Sequence, residues 1–150
     1  MGSAKQRFDD LASALNFGAA QTASIRESLN LLLPRLGELV GSFDAALKCP
    51  AGARLFAGLE GERRDQLQSL MASFILRTVN CNFDEAYCDY AVEVSGGGQV
   101  PPGFFALGLS LAQDFVCSAL PAVEKDSARL SSVLTAWNRL LAALKELTRP

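Results

Sequence analysis

Residues 94–105 read VSGGGQVPPGFF, three glycines followed closely by two prolines, set between two strongly apolar segments. Glycine runs end helices, and a proline cannot be carried inside one without losing a backbone hydrogen bond, so the chain must break twice within a dozen residues. Before the break, FDEAYCDYAVEV (83–94) has helical period, with Phe83, Tyr87, Ala91 and Val94 as its inward stripe. Asn82 is expected to cap that helix, and Asp84 and Glu85 fall in its first turn, where the helix dipole favours negative charge. After the break comes an apolar helix from Phe104 to about residue 120, closed by Pro121.

The same period extends outward in both directions. A short amphipathic helix at 4–15 carries Phe8, Leu11 and Leu15 and stops at Phe17-Gly18. Ser24 and Glu27 read as a capping box opening a long helix through Ile25, Leu29, Leu32, Leu36, Val40, Phe43 and Leu47, which Pro34 should kink. Pro50 begins a short helix that Gly58 and Gly61 end, and 61–79 is amphipathic through Leu67, Leu70, Met71, Phe74, Ile75 and Val79. The final helix, about 126–147, is apolar at Leu130, Leu134, Trp137, Leu141 and Leu144, with Val133, Leu140 and Leu147 widening the stripe. That breadth suggests burial against a second subunit as well as against its own core. No segment alternates apolar with polar in the manner of a strand, so the expected class is all-α, one domain over 1–150.

Composition excludes several functions. A net charge of −2, with basic residues only in scattered pairs, gives no electrostatic footprint for nucleic acid or anionic membrane. The one membrane-like run, 101–123, is bracketed by prolines and carries Gln113-Asp114 near its middle, which favours a buried helix. The start lacks the apolar core of a signal peptide, so a cytoplasmic protein is expected. With no histidine and no C-x-x-C pair among Cys49, Cys81, Cys88 and Cys117, most zinc patterns and every Ser-His or Cys-His nucleophile are excluded. Four reduced thiols are expected, with a Cys81–Cys88 redox pair as the alternative. Asp84, Glu85, Asp89 and Glu93 have the spacing of a solvated helix face, and no enzyme is expected.

The order LPRLGELVGSFDAALKCPAGARLF, FDEAY and VPPGFFALGLSL resembles a globin, and specifically the sensor globins at the N-terminus of bacterial signalling proteins; 4–15 resembles their extra N-terminal helix. The resemblance implies a globin-like fold whose last two helices form a four-helix bundle in a dimer, passing a signal to a C-terminal output domain beyond 126–147. Family members that bind oxygen place the iron-ligating histidine several residues before V-P-P, a position that falls here between Ser95 and Gly98, neither a strong axial ligand. The distal tyrosine position matches Phe43, which donates no hydrogen bond.

This chain is therefore similar to the haem-free sensor globins of stressosome scaffold proteins. On that resemblance no cofactor is expected, and a homodimer is. Phe43, Phe56, Leu70, Phe74, Tyr87 and Phe104 are the expected pocket lining, with the rings, Tyr90 among them, filling the haem space. Phe115, Trp137, Leu140, Leu141 and Leu144 are the expected subunit seam. The alternative is a small-ligand or haem-binding sensor globin with an occupied pocket, haem ligation through Cys88 included.

Overall fold

A computed structural model describes residues 2–98 and 100–149. Eight α-helices and one 3-10 turn make up its regular structure, with no strand among the described residues. Helix α1 (Ala4–Ala14) is capped by Ser3, whose Oγ accepts from the Gln6 amide at 3.1 Å. Helix α2 (Ala19–Leu32) starts five residues before the expected capping box: Gly18 is its N-cap, and the Gly18 amide donates to Gln21 Oε1 at 2.8 Å. Ser24 lies inside that helix, and its hydroxyl donates back to the Ala20 carbonyl, the other use a helical serine has.

Pro34 does more than kink. It sits in the 3-10 turn Leu33–Arg35 that separates α2 from α3 (Leu36–Lys48), because the missing proline N–H leaves no partner for continuous α-helical bonding. Pro50 opens α4 (Pro50–Leu55), and α5 spans Gly61–Asn80. Helix α6 (Glu85–Gly96) is capped by Asp84, which accepts from the Tyr87 amide at 2.9 Å, and not by Asn82. Asn82 is engaged by α2 instead, where Arg26 Nη2 donates to Asn82 Oδ1 at 3.1 Å and to the Cys81 carbonyl at 2.6 Å.

Gly103, in the left-handed region at φ 83°, turns the chain after the double proline into α7. Helix α7 (Phe104–Val123) carries Pro121 in its last turn and so runs past the expected stop. It is the one helix among the described residues long and apolar enough to cross a membrane, yet Phe104, Leu109, Val116 and Leu120 are buried in the core and Ser110, Asp114 and Ser118 face outward. Helix α8 (Ser127–Leu147), capped by Asp126, packs against α7, α2 and α1. These three neighbours account for the breadth of its apolar stripe. Trp137 Nε1 donates to the buried Ser28 hydroxyl of α2 at 2.9 Å, which in turn donates to the Ile25 carbonyl. Helix α1 also packs against α6, so it bridges the start of the chain to two of its later helices.

Candidate functional site

Two faces of α5 frame everything a ligand could meet. Leu67, Met71, Phe74 and Thr78 recur at i, i+4, i+7 and i+11 and are buried. Asp65, Ser69, Ala72 and Leu76 recur at the same intervals and are exposed.

The buried face meets α6 through aromatic rings. Phe74 stacks on Tyr87 and Tyr90 with centroids 6.4 and 6.2 Å apart, and it meets Phe105 edge-on at 5.0 Å. Thr78 Oγ1 and the Tyr87 hydroxyl lie 2.6 Å apart in a direct hydrogen bond between the two helices. The rings continue both ways. Phe105 leads to Phe104, which holds Phe43 and Phe56 at 5.3 and 5.8 Å, while Tyr87 leads to Phe83, which stacks on Phe8 of α1 at 5.0 Å. Of the expected pocket residues, Phe43, Phe56, Phe74, Tyr87 and Phe104 thus belong to one continuous buried cluster, and Leu70 sits half-buried beside it. Phe105, Phe83 and Phe8 complete the chain of rings and were not among the expected site residues.

The remaining polar groups here are tied up. Burial pushes the Tyr87 phenol well above its ordinary value and the Cys88 thiol up to about 11, so both stay protonated at neutral pH. Burial likewise raises the half-buried Cys81 thiol, whose Sγ donates to the Thr78 carbonyl and accepts from the Phe83 amide. All four cysteines are free thiols, and no His/Cys/Asp/Glu cluster suited to a metal occurs among the described residues. Ser95 lies in the last turn of α6 and donates to the Ala91 carbonyl at 2.7 Å; Gly98 follows in the left-handed region at φ 76°. The residues expected at a subunit seam are interior to a single chain: Phe115 and Trp137 are 8% and 6% exposed, and Leu140, Leu141 and Leu144 are buried still more deeply.

The exposed face of α5 lies opposite α3 and leaves a groove of about 470 Å³, floored by Met71 and Gly108. A Cβ on Gly108 would come within 2.5 Å of Met71 Cε, so the glycine is what lets α7 approach this close. At the groove's polar end, Gln68 Nε2 donates to Asp44 Oδ1 at 3.1 Å and Lys48 Nζ pairs with Asp44 Oδ2 at 2.8 Å. The Lys48 and Gln68 bonds hold the Asp44 carboxyl below the usual carboxylate range.

This all-α architecture, opened by an extra helix and carrying its ring cluster between α5 and α6, is matched by the protoglobin family pattern over residues 4–144. The chain belongs to the protoglobin family. The match takes in α1 and nearly all of α8, so the leading helix is part of the protoglobin unit. No curated protein and no solved structure matches the chain. The globin-like, all-α expectation holds, and this protoglobin carries an aromatic core and an α3–α5 groove.

Proposed function

We propose that this protoglobin is a haem-free sensor or regulatory domain, similar to those of stressosome scaffold proteins: cytoplasmic, non-catalytic, dimeric, and coupled through α8 to a C-terminal output domain. The observation that carries the reading is the direct bonding of α5 to α6. Haem needs a space between facing helices and a strong axial ligand, such as histidine, thiolate or tyrosinate. Here the Thr78–Tyr87 hydrogen bond and the rings of Phe74, Tyr90 and Phe105 occupy that space. The chain has no histidine, and the Tyr87 and Cys88 protons are held on by burial. The residues present do not fit the group. Haem titration should therefore give no stoichiometric Soret band; a one-to-one band would sink the reading.

Dimerisation in this reading uses the outer strip of α7 and α8, since the apolar side of both is already covered by the chain itself. Exposed Ser110, Cys117 and Thr135 and half-buried Ala142 stand there beside a network in which Lys145 donates to Gln113 and Gln113 donates to Asn138. Small side chains let paired helices approach closely, and the network gives the contact a polar register. Light scattering at high micromolar concentration checks it: a dimer is expected, and Ser110→Arg should return a monomer of unchanged helicity.

A further inference from the structure

We propose that the groove between α3 and α5 binds an elongated amphipathic small molecule whose polar end is a hydrogen-bond donor, a hydroxyl or ammonium group, seated at Asp65, Gln68 and Ser69. The groove's volume of about 470 Å³ lies in the range of small-molecule sites, and its lining is apolar apart from those three residues, which share one turn of α5. It is also longer than it first looks. A second hollow of about 150 Å³ shares Leu36, Leu39, Ile75 and Leu76 with it, so the two form one trough running along α5 from Asp65 to Asn80. At the helical rise that stretch is about 22 Å long.

Among the described residues, three of the four large apolar side chains left exposed, Leu33 at 51%, Val40 at 63% and Leu76 at 51%, border this trough. Exposed apolar side chains gathered along one concavity mark a binding surface, where singly scattered ones would not. The polar end decides the ligand's chemistry. Gln68 uses one amide N–H on Asp44 and offers its carbonyl oxygen, the Ser69 hydroxyl can accept as well as donate, and Asp65 offers a carboxylate. Of the nearby cations, Lys48 is committed to Asp44, and Arg64 bears on the same carboxylate electrostatically. The negative charge of Asp65 therefore matches a donor at this end, and a carboxylate would meet like charge there. The trough borders the ring cluster at Phe43, but Phe74, Tyr87, Tyr90 and Phe105 do not line it, so the proposal stands or falls apart from the haem-free reading.

Trp137 is the chain's only tryptophan and lines the inner hollow, which makes its emission the readout. Decylamine and decanoate titrated below their micelle concentrations, and 1-decanol below its solubility limit, should separate: the amine and alcohol saturate, at roughly tenfold lower concentration than the acid. Asp65→Lys should reverse the order of amine and acid. Ala72→Phe, on an exposed wall position, should abolish saturation, with circular dichroism melts showing that both variants fold. Decanoate binding as tightly as decylamine, binding unchanged in Ala72→Phe, or no saturable change in emission or melting temperature with any probe would overturn the proposal.

Discussion

Helix α5 presents two faces of equal length and opposite fate. Toward α6 it carries Phe74 and Thr78, and the space is closed by rings and a hydrogen bond. Toward α3 it carries Ser69 and Ala72, and the space stays open. The helix period is the same on both, so side-chain volume alone decides which side is core and which is groove. The rings fill the side toward α6, and the concavity lies toward α3.

The sharpest way to break the comparison is to empty the closed side. Phe74 is fully buried and touches three other rings, so Phe74→Ala should cost about 3–5 kcal/mol by lost transfer energy plus the cavity left behind. Urea unfolding measures it. A loss under about 1 kcal/mol would mean that α5 and α6 are free to collapse together, and that the rings are not holding them at a set distance.

Tyr87→Phe is gentler. It removes one hydroxyl, while Thr78 keeps its bond to the Phe74 carbonyl at 2.7 Å, so about 0.5–1.5 kcal/mol is expected. The ring remains and the core stays filled. If Tyr87→Phe destabilised as much as Phe74→Ala, the hydrogen bond and not the ring packing would be the main link between α5 and α6.

The closed side also has a pH signature. The Cys88 thiol rises from 9.0 to about 11 on folding, and Tyr87 rises too, both chiefly through burial. Below pH 9 the thiol is protonated folded and unfolded, and this stabilising contribution is intact. As pH climbs from 9 to about 11, only the unfolded chain releases the proton, so stability falls across that window. Denaturant midpoints taken at pH 8 and 10.5 should show the drop, and Cys88→Ala should make it shallower; an equal drop in the variant would place the alkaline sensitivity elsewhere.

Much of the fold was legible because its boundaries depend on local chemistry: the glycines after Ser95, the prolines at 34, 50, 101 and 102, and the helical spacing of large apolar residues. The errors share a tertiary cause. Asn82 reads as a cap, but Arg26 of α2, 56 residues away, takes its side-chain oxygen, and Asp84 caps in its place. The Ser24–Glu27 pair has the capping pattern, yet Gly18 in extended conformation starts the helix earlier, at a corner where Phe17 packs edge-on against Phe83. The wide stripe of α8 packs against three helices of its own chain. Of the candidate site, the filled interior was legible as a surplus of aromatics without a histidine. The groove was not, because Ser69 and Ala72 read as an ordinary solvated face until α3 is seen to lie opposite them.

That last point sets the smallest expected effect, and the one that tests the open side most directly. Ala72→Leu adds apolar volume at an exposed position bordering the groove. Surface substitutions away from special features change stability by about 0.5 kcal/mol or less, and here the new methyls also gain contact with the groove's apolar wall, so the change should be neutral to slightly stabilising. Gly108→Ala fills the same space from beneath, but its Cβ meets Cε, Sδ and Cγ of the buried Met71 at 2.5, 2.9 and 3.1 Å, so the whole side chain must shift and about 1–3 kcal/mol is expected. If instead Ala72→Leu destabilised by as much as about 2 kcal/mol, α3 would already be closed onto α5 in solution, and the two faces of α5 would differ in sequence without differing in openness.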